Sequence, residues 1–288
     1  MKKSHSKLIV LLGVIFVSFS SIIAKSSSAP SLIISTYRMG FTVLLLLPSV
    51  LSKNLDEIKK IDRKTFGICI ISGIFLAFHF ATWIESLKHT SVASSTVLVN
   101  THPVFIVLAS FFILKERVSK ETLIAIGIAL TGSMIISTGD SSLGSNILYG
   151  DMLAILGALF VAGYMMIGGI IRQKLSVTAY TFIVYTSCTI TLILLSLLTK
   201  TPLYPYPAPE LLRFFMLAIF CTIMGHSLFN WALEYVKPTF ISTAVLGEPV
   251  FATIWAILFF NEIPRPWQIV GSLIILYGIY RYTRIEER

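Results

Sequence analysis

Two ionisable residues stand near the middle of apolar segments, each directly before the proline of a repeated motif. His102 precedes Pro-Val-Phe at 103–105, and Glu248 precedes a second Pro-Val-Phe at 249–251. An ionisable side chain inside a lipid bilayer costs roughly 2.5–3.5 kcal/mol on insertion scales, so such groups usually face a polar interior and have a function. The pair predicts a protonation switch or an anchor for an amine. The alternative is a structural pair that locks two halves of the protein together.

Four more polar or aromatic residues fall at helical spacing in two other apolar segments. His79 and Trp83 lie four residues apart, as do His226 and Asn230, so each pair shares one helix face. The two faces predict a cavity lining with hydrogen-bonding groups and an aromatic wall. The alternatives are a place in the interfacial belt for the tryptophan and hydrogen bonds between helices for the polar residues. Two further candidates for the lining are Asn100 and Tyr164.

Two prolines and one arginine complete the set of candidate residues. Pro103 and Pro249 each remove one backbone hydrogen bond from a helix, which frees a carbonyl for a ligand or permits a hinge. A static kink that serves packing is an equal alternative. Arg38 lies roughly seven residues into its segment, about 10 Å below the outer end at 1.5 Å per residue. Its guanidinium could bind a carboxylate, reach outward to water, or bind carbonyls of a neighbouring helix.

The composition indicates the class of protein that carries these residues. The chain is 55% hydrophobic and 13% charged with a mean hydropathy of +0.83, whereas a soluble domain has about 25% charged residues. The net charge of +9 comes without a long basic run, so it indicates orientation in a membrane rather than binding to nucleic acid. Three cysteines, Cys69, Cys188 and Cys221, lie in apolar runs without metal-ligand spacing, which predicts buried free thiols. Neither a metal nor another cofactor is expected.

Apolar runs long enough to cross a bilayer, which takes roughly 20 residues, recur along the whole chain. They lie at 8–24, 32–51, 66–86, 92–114, 121–138, 148–171, 178–198, 212–235, 239–260 and 266–283. The predicted fold class is therefore an all-α integral membrane protein with ten transmembrane helices. The connectors are short, so the sequence offers no room for a soluble domain.

The second half of the chain repeats the first. An offset of 146 residues aligns Pro103 with Pro249 and Gly132 with Gly278, and it also relates Val99 to Val245. The predicted units are 1–138 and 148–288, with five transmembrane helices each. Because five is odd, the second unit starts on the opposite side of the membrane, so the two repeats are inverted. Inverted repeats are typical of secondary transporters, whose site lies at the bilayer midplane between the halves.

The distribution of positive charge predicts the orientation. With the N-terminus in the cytoplasm, 17 of the 23 Lys and Arg residues fall inside and 5 outside, and Arg38 remains within a span. Cytoplasmic segments of membrane proteins carry the excess of Lys and Arg. Both termini are therefore predicted to be cytoplasmic.

Several short motifs carry a resemblance to a known family. They are Tyr37-Arg38, Ser86-Leu87, the Pro-Val-Phe motif followed by Lys115-Glu116-Arg117, and the second Pro-Val-Phe followed by Asn261-Glu262. Over nearly its whole length the chain resembles the EamA family of the drug/metabolite transporter superfamily. The resemblance implies export or facilitated passage of small metabolites, amino acids or drugs across a prokaryotic plasma membrane. It favours a structural role for Arg38, whose position is shared across different substrates. His102 departs from the family pattern, in which this residue is often uncharged.

The predicted function is that of a secondary transporter which moves a small metabolite, an amphipathic compound, an amino acid or a drug, by alternating access. Export is the expected direction, and protons are the candidate coupling ion. An uncoupled facilitator of the same substrates is the first alternative. An intramembrane enzyme is the second, although His-Glu-x-x-His and Gly-x-Ser-x-Gly motifs are absent from the sequence and no catalytic residue is predicted. The expected partners are a small molecule and the lipid bilayer, and both a monomer and a homodimer remain open.

Overall fold

A computed structural model describes residues 2–113, 115, 118–137, 146–260 and 265–286. Across these ranges the regular structure is helical, and no strand is present. The α-helices, numbered α1 to α15 in chain order, are Lys2–Val17, Ser20–Lys25, Ser31–Ser49, Leu55–Lys59, Arg63–His89, Val92–Val99, His102–Phe112, Lys120–Ser137, Ile147–Ile171, Val177–Leu198, Ala208–Met216, Ser227–Ala232, Pro238–Val245, Glu248–Phe260 and Pro266–Glu286. Two π-helical segments are Val50–Asn54 and Leu217–His226.

Seven segments of the described chain are long and apolar enough to cross a membrane. They are His5–Lys25, Ser31–Lys59, Arg63–His89, Ser94–Phe112, Ile147–Ile171, Val177–Leu198 and Ala208–Ala232. These segments confirm the all-α membrane class. The other three predicted spans correspond to α8, to α13 with α14, and to α15, so the count of ten stays a prediction. The motif residues outside the described ranges are Glu116, Arg117, Asn261 and Glu262.

Side-chain oxygens begin several of these helices. Asp62 accepts the backbone N–H groups of Lys64 and Thr65 at 3.0 Å and so caps α5. Hydrogen bonds from Thr65 lower the pKa of the Asp62 carboxyl. Ser91 and Ser176 cap α6 and α10 in the same way. The capped helix α5 then packs against α9 and α10, and α10 contacts α3, so these four helices hold much of the core.

The prolines of the repeated motif lie at helix breaks, which corrects the expectation of a proline in the middle of a continuous helix. The predicted fourth span is divided into α6 and α7, and the ninth is divided into α13 and α14. Pro103 and Pro249 are each the second residue of the later helix. In a first helical turn the missing N–H of proline costs no intrahelical hydrogen bond. As a result His102 and Glu248 stand at the very start of their helices.

Helices α8 and α15 approach closely because glycines face backbone atoms at their contact. A Cβ built on Gly132 would lie 2.7 Å from the Gly271 carbonyl oxygen and 2.7 Å from the Ile275 nitrogen. A Cβ built on Gly278 would lie 2.9 Å from the Ala125 carbonyl oxygen and 2.7 Å from the Ala129 nitrogen. As residue numbers rise along α8 they fall along α15, so the two helices are antiparallel.

Substitution of Gly132 by alanine is expected to lower stability by about 1–3 kcal/mol, because the added methyl group would overlap the backbone of α15. Thermal unfolding of the purified protein in detergent measures the effect. Gly127→Ala on the same helix is the matched control, since a Cβ there meets nothing within 4 Å. The control should be neutral or slightly stabilising because alanine has the higher helix propensity. Equal melting temperatures for the two variants would contradict the close packing of α8 on α15.

Candidate functional site

An internal cavity of about 40 Å³ lies where the breaks between α6 and α7 and between α13 and α14 meet α5, α9 and the π-helical segment Leu217–His226. Its lining residues are Val17, Ser20, His79, Trp83, Val99, Asn100, His102, Val161, Met165, His226, Phe229, Val245 and Glu248. We call this space the central cavity. The structure thus brings together six of the nine residues selected from the sequence as lining candidates. Three others, Arg38, Tyr164 and Asn230, do not line it.

Polar atoms without hydrogen-bond partners are concentrated on this lining. Within the described part of the chain, the unpartnered buried atoms on lining residues are Trp83 Nε1, Asn100 Nδ2, His102 Nε2, His226 Nδ1 and Glu248 Oε1. Most buried polar atoms in proteins have a partner, so each exception needs a physical explanation. Five exceptions around one cavity mark a candidate polar site, whose occupant, ordered water or a ligand, must supply both donor and acceptor groups. Among the described residues there is no preformed cluster of three or more His, Cys, Asp or Glu metal ligands.

Aromatic and imidazole rings form one wall of the central cavity. The rings of His79 and Trp83 stack with centroids 5.9 Å apart and an interplanar angle of 3°. His79 Nδ1 lies 2.9 Å from the Gly157 carbonyl oxygen, which fixes the orientation of its ring. The ring of His226 lies 6.5 Å from that of His79. Trp83 is only 5% exposed, so it belongs to the interior and not to an interfacial belt.

Glu248 is the acidic member of the lining. It is 4% exposed and begins α14, where the helix dipole favours a negative charge. Two polar groups lie near this carboxyl group. They are the Asn100 side chain and the positively charged Arg38 guanidinium. His102 and Glu248 line the same cavity, yet no ion pair joins them among the residues described. The Arg38 guanidinium is the cationic group whose charge acts on Glu248, without a direct ion pair among the residues described.

Arg38 lies beside the central cavity and is fully buried. Its Nε donates to Thr222 Oγ1 at 2.8 Å, and its Nη1 donates to Ser20 Oγ at 2.9 Å. The guanidinium carbon lies 4.2 Å from the centroid of the Phe80 ring, which is cation–π geometry. The side chain therefore does not reach outward to water. Because Ser20 also lines the cavity, this hydroxyl group links the arginine to the site.

Asn230 and Tyr164 belong to a separate buried network between α9, α10 and α12. Asn230 Nδ2 donates to the Tyr164 hydroxyl at 2.5 Å and to the Tyr185 hydroxyl at 3.1 Å. Tyr185 in turn contacts the hydroxyl of Ser227 at 3.1 Å. His226 ends the π-helical segment and lines the cavity, whereas Asn230, one turn later in α12, points into this network.

A second, larger cavity of about 670 Å³ opens at one end of the molecule, and we call it the vestibule. It is lined by the ends of α7 and α9, the loop before α13, and the end of α15. None of the nine predicted lining residues contacts it. Met165 lines the central cavity, and Met166 lines the vestibule. Since consecutive residues differ in depth by about 1.5 Å, the vestibule reaches the level of the central cavity on another face of α9.

The opposite end of the molecule is closed by polar contacts that the sequence did not reveal. Glu210 accepts hydrogen bonds from the hydroxyls of Ser27 at 2.5 Å and Ser28 at 3.1 Å, and it pairs with Arg213 at 2.9 Å. Lys88 donates to the Ala29 carbonyl at 2.9 Å, which ties the same loop to α5. A carboxyl group in the first turn of an apolar segment is the only sequence signal that pointed to Glu210. We call these contacts the end closure.

Comparison with known proteins gives one family and several relatives. The profile described as the EamA-like transporter family matches residues 6–138 and 148–283. An uncharacterised transporter of Archaeoglobus fulgidus is 26% identical over 228 residues, which covers 77% of this chain and 76% of the relative. The pseudopaline exporter CntI of Pseudomonas aeruginosa is 20% identical over 229 residues, with coverage of 79% and 78%. One crystal structure at 14% identity superposes with a TM-score of 0.80 over 99% of this chain and 100% of its own, which shows a shared fold.

Proposed function

Because this chain belongs to the EamA-like transporter family, we propose that it exports a small metabolite with polar donor and acceptor groups across a prokaryotic plasma membrane. As a member of this family, the protein is a multi-pass membrane transporter with a small-molecule substrate. We place the substrate at the central cavity, which must widen from the 40 Å³ of this conformation to admit it, and we propose alternating access as the mechanism. An enzymatic role is not favoured by any observation on the site.

One observation carries this proposal. The unpartnered polar atoms that surround the central cavity come from both units of the chain. Trp83, Asn100 and His102 belong to residues 1–138, and His226 and Glu248 belong to residues 148–288. A site shared between two units opens and closes when one unit rocks against the other, which is the movement that alternating access requires.

The contact between α8 and α15 supports the proposed inverted repeat. A two-fold operation that exchanges residues 146 positions apart converts the pair Gly132–Gly271 into Gly278–Ala125. Both contacts are present, and the pair Gly132–Ile275 is matched in the same way by Gly278–Ala129. Helices related by an inverted repeat run antiparallel where they meet, as these two do. The match of one family profile to residues 6–138 and 148–283 gives further support for two units.

We assign the described conformation to an inward-oriented occluded state, because every residue that lines the central cavity is buried while the vestibule is open at one end. Tyr282 and Ile285, close to the C-terminus, line the vestibule, and the charge distribution assigns that side to the cytoplasm. The end closure lies near the start of α9, where Gly150 faces His89 and Thr90, and this point is about 24 Å from Met166 of the vestibule at 1.5 Å per residue. Loading from the cytoplasm and release outside is the direction of an exporter. The relative from Pseudomonas aeruginosa that is named as an exporter supports this direction.

Cysteine labelling tests the mechanism. The native cysteines are buried and free, so we would replace them by alanine and introduce Val99→Cys or Val245→Cys on the cavity lining. With a small membrane-impermeant thiol reagent, each cysteine should react from both sides of the membrane. The rates from the two sides should change in opposite directions when substrate is added, since substrate shifts the balance of inward- and outward-facing states.

Two control positions define the sides for this experiment. Thr239→Cys in the vestibule should react only from the cytoplasmic side, and Leu108→Cys, which is 46% exposed on an apolar surface, should stay unreactive in lipid. Labelling of the cavity cysteines from a single side under every condition would contradict alternating access. A cavity cysteine that reacts from both sides at rates insensitive to substrate would favour an open facilitator.

A further inference from the structure

His102 closes a gap in hydrogen bonding that Pro103 creates. The Val99 carbonyl ends α6, and the residue four positions later, Pro103, has no N–H that could donate to it across the break. His102 Nδ1 lies 3.1 Å from the Val99 carbonyl oxygen. A carbonyl oxygen can only accept, so Nδ1 must carry the proton in this contact. The imidazole therefore replaces the backbone donor that proline lacks.

This contact determines what the other ring nitrogen can do. A neutral imidazole with its proton on Nδ1 has a lone pair on Nε2, which makes Nε2 an acceptor. His102 is 2% exposed and lines the central cavity, and its Nε2 is buried without a partner in the described chain. The same wall holds two unpartnered donors, Trp83 Nε1 and Asn100 Nδ2. Both of these atoms are donors, so among the unpartnered lining atoms described for this unit the acceptor is His102 Nε2.

The other helix break has no equivalent device. Pro249 frees the carbonyl of Val245 in the same manner, but the residue before it is Glu248. In the described chain Glu248 Oε1 is unpartnered, and no hydrogen bond joins this side chain to the Val245 carbonyl. The two breaks therefore differ in chemistry although they are related by the repeat. The hydrogen bond to a freed carbonyl is therefore particular to His102, whereas the proline at the start of the later helix is common to both breaks.

We propose that His102 is a specificity-determining residue, which caps the Val99 carbonyl through Nδ1 and accepts a hydrogen bond from the substrate through Nε2. This inference rests on the proposed function, because it places the substrate in the central cavity. It names one requirement of the substrate, which is an N–H or O–H group directed at the break between α6 and α7. A compound whose corresponding group is fully alkylated leaves Nε2 buried and unpartnered, so it binds more weakly.

Nitrogen NMR of the protein in lipid nanodiscs tests the hydrogen-bonding form of the imidazole. Histidine labelled with ¹⁵N gives signals from five residues, and His102 is assigned from the signal that His102→Asn removes. The expected spectrum shows a protonated Nδ1 and an unprotonated Nε2. An Nε2–H form in the ligand-free protein would overturn the inference and leave the proposed function intact.

Two small cations then probe the acceptor. Methylammonium has N–H donors, and tetramethylammonium carries the same charge without any. Methylammonium should move the His102 Nε2 signal, and tetramethylammonium should leave it in place. If methylammonium moves the indole N–H signal of Trp83 alone, the cavity binds ligand but His102 does not accept from it, and the inference fails. If neither signal responds at saturating concentration, the proposed ligand cavity fails together with the inference.

A pair of variants separates the two nitrogens of the ring. The amide nitrogen of an asparagine side chain can donate to the Val99 carbonyl, but asparagine places no acceptor at the position of Nε2. His102→Asn should therefore keep the melting temperature near wild type and bind methylammonium about tenfold more weakly. His102→Ala should lose both. His89→Asn, at an imidazole paired with Glu85 away from the cavity, is the control and should bind normally. Parallel loss of stability and binding in His102→Asn would assign only a structural role.

Discussion

Replacement of Glu248 by glutamine is expected to stop uphill transport while downhill exchange continues. Glutamine keeps the size of the side chain but cannot take up and release a proton. Glu248 is a buried carboxyl group at the central cavity with one unpartnered oxygen, the setting in which a proton-carrying group works. One proton that moves across 100 mV supplies roughly 2.3 kcal/mol, which corresponds to about a fifty-fold substrate gradient. The variant should lose that gradient in vesicles with an imposed pH difference.

The same experiment separates three roles of this carboxyl group. If Glu248 only anchors an amine, the variant should bind cationic substrates more weakly at every pH. If it only ties helices together, stability should fall and transport per folded molecule should stay intact. Glu85→Gln is the matched control, since that carboxyl pairs with His89 outside the cavity. Wild-type transport and stability in Glu248→Gln would exclude a functional role, and an uncoupled facilitator would then be favoured.

Replacement of Arg38 by methionine is expected to destabilise the protein by about 3–5 kcal/mol, because it removes two buried hydrogen bonds from a charged donor, each worth about 1.5–3 kcal/mol. The variant loses the hydrogen bonds to Ser20 and Thr222 and the contact with the Phe80 ring. It also removes the nearby positive charge that acts on the buried carboxyl group of Glu248. Thermal unfolding in detergent and the yield of monodisperse protein both report the loss.

A double-mutant cycle identifies which part of that cost is electrostatic. In the variant that combines Arg38→Met with Glu248→Gln, the uncompensated carboxylate is absent, so the double variant should be more stable than the sum of the single effects predicts. Arg38→Lys should lie between wild type and Arg38→Met, because lysine keeps the charge but lacks the planar fork and stacks poorly on an aromatic ring. Strictly additive effects would show that the two charges do not interact.

Much of the helical framework could be predicted from the sequence because apolar runs of about 20 residues have few other structural solutions. The co-location of His102 and Glu248 on one cavity was expected from the repeat, since both precede the same proline motif. The breaks at these prolines were not expected. A proline in a long apolar run is compatible with a kinked helix and with two helices in sequence, and the choice depends on local turns such as that at Asn100.

Contacts between distant segments were the part that the sequence could not reveal. The partners of Arg38 are Ser20, 18 residues earlier, and Thr222, 184 residues later. Serine and threonine are common in membrane helices, so their type alone does not identify a partner. Glu210 was missed for a related reason, because its role depends on where the loop at Ser27 folds. The π-helical segment that ends at His226 was also missed, because helical periodicity gives no signal for it.

In the proposed inverted arrangement, the surface between α8 and α15 is isologous, the kind of contact that two identical subunits make across a two-fold axis. Two separate copies would have to present the same residues to each other on both sides of that axis. Within one chain the two sides are free to diverge, and they have done so. Gly132 faces Gly271 and Ile275, whereas Gly278 faces Ala125 and Ala129. One substitution at this surface alters only one of the two equivalent contacts. In a single polypeptide the two sides of the two-fold axis can therefore become different through individual substitutions.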